Sequence, residues 1–329
     1  MNTENPSSAL DTLRILLGED MAEVDRRIRT RLASEVTLIN QLGTYIISGG
    51  GKRLRPALAL LAAKAMGHNG TKHIDVAVII ELVHTATLLH DDVVDASRMR
   101  RGRETANFIW GNPASVLVGD FLYSRAFQMM VELQNLRILE ILADATNVIA
   151  EGEVMQLVNC HDPDISEQRY LNTIRFKTAK LFEAAAQLGV IIAGGGSIAE
   201  NALAAYGRHL GTAFQLVDDA LDYCADSTQL GKSLGDDLAE GKPTLPLLYA
   251  MWQGTPTQAV LIRAAIEQGG RDRISEITAA IESTGAITYT LALAEREAAQ
   301  AQTALNVIPP SEYRDVLHGL AMFAVERRF

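Results

Sequence analysis

Two aspartate clusters share one spacing, Asp91-Asp92-Val93-Val94-Asp95 and Asp218-Asp219-Ala220-Leu221-Asp222. On a helix, residues four apart lie on one face, so Asp91 projects with Asp95 and Asp218 with Asp222, while Asp92 is rotated by about 100°. Like charges so placed repel by roughly a few tenths of a kcal/mol unless a cation intervenes. Hard carboxylate oxygens without paired cysteines suit Mg²⁺, which binds one or two protein carboxylates together with substrate phosphate oxygens. A solvated acidic face is the plainer reading of one such run. Two copies, far apart in the chain and each preceded by an apolar stretch, shift the balance towards metal and diphosphate. The glycine and fixed ligand spacing of an EF-hand are missing from both.

Cations that could meet a diphosphate lie nearby in sequence. Gly49-Gly50-Gly51-Lys52-Arg53-Leu54-Arg55-Pro56 sets three of them beside a glycine turn, before an apolar helix starting near Pro56. The segment is no Walker A loop, which disfavours nucleotide hydrolysis. Arg grips phosphate with two parallel hydrogen bonds, and Lys acts as a compact charge. Arg100-Arg101-Gly102 follows the first acidic cluster by one to two helical turns, although a basic helix C-terminus is the bland reading of that pair. Lys177-Thr178, Lys232 and Lys242 sit near expected helix ends. A lone histidine on an apolar helix is more often core than ligand. His84, however, is seven residues and so two turns before Asp91, on the same face. His90 lies off that face.

The elements that must carry these residues read as helices. The 329 residues are 48% hydrophobic and 5% aromatic, and apolar positions recur at helical spacing, as in Ile74, Val78, Leu82, Thr85, Leu88 and Leu89. Asn112-Pro113 reads as a helix start, and short glycine- or proline-bearing breaks separate the segments. No composition shift divides the chain. We expect one all-α domain over residues 1–329, with residues 1–20 a flexible N-terminal segment. The net charge of −10 argues against nucleic-acid binding. Cys160 and Cys224 form neither CxxC spacing nor a disulfide framework, and the polar start Met1 to Ser8 lacks a signal-peptide pattern, so a cytoplasmic protein is expected. Thr244 to Ile262 is uncharged, but its prolines and polar residues make it a poor membrane span.

Taken in order, GGGKRLRP, ELVHTATLLHDDVVDASRMRRG, GDFLYSRAF, EGEVMQL, FKTAKLF, FQLVDDALDY and GKSLGDDLAEGKPTLPLLYA resemble the trans-isoprenyl diphosphate synthases, and within them the bacterial octaprenyl enzymes that make quinone side chains. The resemblance implies an all-α isoprenoid synthase fold with helices around a central substrate cavity, usually homodimeric. It also implies condensation of isopentenyl diphosphate onto farnesyl or another allylic diphosphate with two or three Mg²⁺ ions. Carried over residue by residue, Lys52, Arg55, His84 and Arg101 would hold isopentenyl diphosphate. Arg100, Lys177, Thr178 and Gln215 would contact the allylic substrate, with Lys232 and Lys242 as further phosphate ligands. Asp91, Asp95 and Asp218 would bind metal, with Asp92, Asp219 and Asp222 as weaker candidates.

Ionising an allylic diphosphate needs charge stabilisation and no protein nucleophile. By the same resemblance, the departed diphosphate would accept the final proton, and Thr178 and Gln215 oxygens would face the cation. Ala86 and Thr87 are small where short-chain members carry a bulky aromatic, so a deep pocket and a long product are expected, with Phe127 and Met130 as a lower floor. The alternatives are a shorter-chain synthase and a non-catalytic subunit of a heteromeric one, the latter opposed by two complete clusters. A class I terpene cyclase would not need Lys52, Arg55 and Arg101. An HD-type phosphohydrolase would leave the second cluster unexplained.

Overall fold

A computed structural model describes residues 6–224, 234–269 and 271–327. Its helices in chain order are α1 (Pro6–Leu32), α2 (Thr37–Ser48), α3 (Leu54–Ala65), α4 (Lys72–Val94), α5 (Ala106–Trp110), α6 (Asn112–Glu132), α7 (Leu136–Asn159) and α8 (Glu167–Ile174). There follow a π-helical turn (Arg175–Ala179), α9 (Lys180–Ile192), α10 (Ser197–Leu221), α11 (Asp236–Ala239), α12 (Leu245–Gln253), α13 (Pro256–Gln268), α14 (Ile274–Ser283), α15 (Ala286–Ala304) and α16 (Glu312–Glu326). The only strands among the described residues are β1 (Met99–Arg100) and β2 (Arg103–Glu104), an antiparallel pair.

The chain divides into two compact units. Unit 1 comprises residues 1–146, 181–207 and 304–320, and unit 2 comprises 147–180, 208–303 and 321–329. In unit 1, α4 is buried on nearly every side, as its mostly apolar sequence requires. It is the one described helix long and apolar enough to cross a membrane, yet 72% of its apolar window is buried, as in the core helix of a globular protein. The core of unit 2 gathers Leu216, Val217, Leu247, Leu248 and Ile262.

Near the start of the chain the described residues are helical. Residues 6–20 belong to α1, and Ala9, Leu13 and Leu17 are buried along one stripe continued by Val24, Ile28 and Leu32. Their four-residue spacing buries an apolar face beneath a polar-looking sequence. Two boundaries follow local chemistry. α6 begins at Asn112, with Gly111 as its N-cap and Pro113 in the first turn, one residue earlier than a start capped by Asn112. The uncharged stretch from Thr244 is cut at Gly254, where Thr255 and Gln258 form a capping box that starts α13.

Candidate active site

In unit 1 the first cluster ends α4. Asp91 and Asp95 are partly exposed, whereas Asp92 is only 4% exposed. Arg100 Nε donates to Asp92 Oδ1 at 2.8 Å. Burial raises the Asp92 carboxyl, and Arg100 opposes that rise. The end of the helix therefore leaves Asp91 and Asp95 partly exposed and turns Asp92 inwards to Arg100. Ala86 is fully buried one turn earlier, and Thr87 bonds the His84 carbonyl through its hydroxyl.

The basic pair after this cluster is not helical. Arg101 and Gly102, with φ of 53° and 73°, form the two-residue turn joining β1 to β2. Positive φ at both centres is the hairpin geometry that glycine at the second position permits, and this glycine is the signal that helical spacing obscured. The turn aims Arg101 back at the glycine loop, where Nη1 donates to the Gly50 carbonyl. Burial lowers the Arg101 pKa, with the like charge of Arg100 adding to the effect.

At the start of α3, Arg55 Nη1 stands 3.1 Å from His84 Nε2, and its guanidinium lies 4.4 Å over the Phe182 ring. Burial, then the charges of Arg55 and Arg101, hold His84 well below the ordinary histidine value. Arg53 ion-pairs with Glu81, whose carboxyl is pushed up by burial. Lys52 is exposed beside them. Lys52, Arg55, His84 and Arg101 thus occupy one unit with the first aspartates. Met130 is buried on α6, while Phe127 is 40% exposed.

Unit 2 holds the second group. Asp218 is partly exposed and receives Arg327 Nη1 at 2.7 Å; the same guanidinium donates to the Phe214 carbonyl at 2.8 Å and lies over the Phe214 ring. Asp219 and Asp222 are buried. Asp219 takes the Tyr170 hydroxyl on Oδ2 at 2.5 Å and Gln215 Nε2 on Oδ1 at 2.7 Å. Asp222 Oδ2 accepts from the Asp237 amide at 3.1 Å. Burial, with Asp237 close by, raises the Asp219 carboxyl.

Lys177 and Thr178 sit in the π-helical turn, a local widening that often marks functional positions. Lys177 Nζ reaches Glu153 Oε2 at 2.5 Å, and Thr178 Oγ1 donates to Gln215 Oε1 at 3.0 Å. Lys242 ion-pairs with Glu240 in the loop after α11. Lys232 lies outside the described residues. Tyr170, Glu153 and Arg327 were not singled out from the sequence. The first two lie close to or within quoted motifs, but nothing in residue spacing marks Arg327.

A polyprenyl synthase from Caulobacter crescentus, solved with calcium and isoprenyl diphosphate, superposes with a TM-score of 0.94 at 46% identity, covering 97% of this chain and 98% of that one. The architecture is therefore the all-α isoprenoid synthase fold. The sequence model of the family Polyprenyl synthetase matches residues 36–283, and the chain belongs to that family. It is 57% identical to octaprenyl diphosphate synthase of Escherichia coli over 97% of this chain and 99% of that protein. Identity to the Haemophilus influenzae octaprenyl diphosphate synthase is 54%, over 98% of each.

Proposed function

We propose that this chain is a long-chain trans-polyprenyl diphosphate synthase that extends an allylic diphosphate with isopentenyl diphosphate to an octaprenyl product, for a quinone side chain. The observation that carries this reading is that unit 1 holds, beside the acidic pair Asp91 and Asp95, a basic group in which Arg55 meets His84 and the charge of Arg101 reaches it. One allylic diphosphate needs only the first, and a second diphosphate substrate accounts for the other. A terpene cyclase leaves the basic group without a task.

The carboxylates suit Mg²⁺. They are hard oxygen donors, and no group of three acidic, histidine or cysteine side chains gathers into a cage among the described residues, which matches an ion that shares its shell with substrate phosphate. Asp91 and Asp95 in unit 1, and Asp218 in unit 2, would each be a ligand for Mg²⁺. Asp92, Asp219 and Asp222 are buried against protein partners, and we read them as supports. Bound Mg²⁺ neutralises charge on the departing diphosphate.

Arg100 in unit 1, and Lys177 and Lys242 in unit 2, would bind phosphate oxygens, Lys177 and Lys242 by exchanging the carboxylates of Glu153 and Glu240 for them. Lys232 is assigned with them by motif alone. The allylic C–O bond breaks, the double bond of isopentenyl diphosphate forms the new C–C bond, and a proton leaves to the diphosphate. Thr178 and Gln215 direct oxygen dipoles at the cation.

Small Ala86 and Thr87 leave room for the growing chain, with Met130 below. Phe127 shares its face of α6 with exposed Val131, and Val116 continues that stripe. We place this stripe at the interface of a homodimer. The two units together are read as one synthase domain in the cytoplasm, since the family match runs through both. Incubating the protein with farnesyl diphosphate, labelled isopentenyl diphosphate and Mg²⁺ tests the reading. An octaprenyl product is expected, and no elongation, or a product stopped at a few units, overturns it.

A further inference from the structure

We infer that Tyr170 is a positioning residue for the condensation, acting through Asp219 to fix the side-chain amide of Gln215. This rests on the proposed synthase reading. Tyr170 is 4% exposed and packs with Leu171, Ile174, Leu216 and Val217. A phenylalanine would fill that space, so the use of the hydroxyl lies in its bond to Asp219 Oδ2.

Tyr170 donates to Asp219 Oδ2 and Gln215 Nε2 to Asp219 Oδ1, so the amide oxygen of Gln215 is turned to the Thr178 hydroxyl. With Asp219 held at both oxygens, a flip of the Gln215 amide would set oxygen against oxygen. Loosening Asp219 removes that constraint and lets the amide dipole reverse where Gln215 and Thr178 are to face developing positive charge. Tyr170 itself touches no substrate in this scheme. It determines which end of Gln215 does.

The experiment compares the parent chain with Tyr170→Phe, Asp219→Asn and the double variant. It measures kcat, KM for both diphosphates, the Mg²⁺ half-saturation and Tm. Tyr170→Phe is expected to lower kcat about tenfold, the scale of one lost hydrogen bond to a charged group. The KM for isopentenyl diphosphate and the Mg²⁺ half-saturation should stay within about twofold. In the Asp219→Asn background the same change should cost under about threefold, because its route is already broken. An unchanged kcat, an undiminished effect in that background, or a fall in Tm with both KM values rising overturns the inference. A parent chain that forms no polyprenyl product overturns the synthase reading instead.

Discussion

Arg55 donates from Nη1 to Nε2 of His84 across 3.1 Å, and since a guanidinium has no acceptor, the imidazole must be neutral with its proton on Nδ1. The neutral ring agrees with the downward push of burial and neighbouring arginines on its pKa. A neutral histidine between cations can still accept from arginine and donate to a phosphate oxygen.

The sign of the pH effect follows. The unfolded chain takes up a proton on His84 near the ordinary histidine value while the folded chain resists it. Stability is therefore fully present above about pH 6.5 and is lost as pH falls, by up to roughly 1.4 kcal/mol per pH unit for this one proton. His68 and His318 are lowered too, chiefly by burial, and add in the same direction. His84→Asn should flatten the decline between pH 6.5 and 5 without removing it. Denaturant midpoints measured across that range check the slope.

Asp91→Ala should abolish Mg²⁺-dependent condensation, by roughly a thousandfold or more, because the paired carboxylates proposed to receive the cation are reduced to one. Without metal the same variant should unfold no lower than the parent, since a repulsion at four-residue spacing has been removed. Labelled isopentenyl diphosphate incorporation and metal-free Tm provide the two readouts. Near-normal turnover would sink the assignment of the first cluster.

Much of this site was legible before any coordinates, and the parts that were not share a physical reason. Helical periodicity places Asp91, Asp95 and His84 on α4, because facing is a local property of one element. Spacing could not show that Arg100 turns back to Asp92, because the chain leaves α4 through a left-handed residue, Ala96. Nor could it show Tyr170 reaching Asp219 or Arg327 reaching Asp218, since those pairings link positions far apart in the chain. The π-helical turn at Lys177 has no residue signature of its own.

Ala86→Phe should shorten the product. Ala86 is fully buried one turn before Asp91, so a ring there fills space that a growing chain would need. Sizing products by chromatography should show a marked drop in the number of isoprene units with ionisation retained. An unchanged distribution would refute the direction assigned to the chain.

Arg327 competes with any cation for Asp218, holding its Oδ1 at 2.7 Å with a guanidinium otherwise anchored on Phe214. Removing it frees a carboxylate for the ion. Arg327→Ala should lower the Mg²⁺ half-saturation by roughly threefold, within the energy of a partly exposed ion pair. A magnesium titration of turnover reads this directly, and a higher half-saturation would show that Arg327 poses Asp218 for metal rather than masking it.

Gly152 shows how tightly unit 2 is fitted around Lys177. A Cβ built at this position would come within 2.5 Å of the Lys177 amide nitrogen and 2.9 Å of the Phe176 backbone, so α7 can approach the π-helical turn only because residue 152 has no side chain. Backbone cannot swing aside as a flexible side chain can. Gly152→Ala must therefore push the turn away from α7, at a cost of about 1–3 kcal/mol, set against the gain of up to roughly 1 kcal/mol from better helix propensity. Glu153 would carry Lys177 with it or release it, since the two meet at 2.5 Å from adjoining positions. The expected outcome is a lower Tm together with weaker allylic diphosphate binding, measured as a KM several-fold higher. A variant with parent-like Tm and KM would mean that the close approach of Gly152 to Lys177 is not needed for the fold or the site.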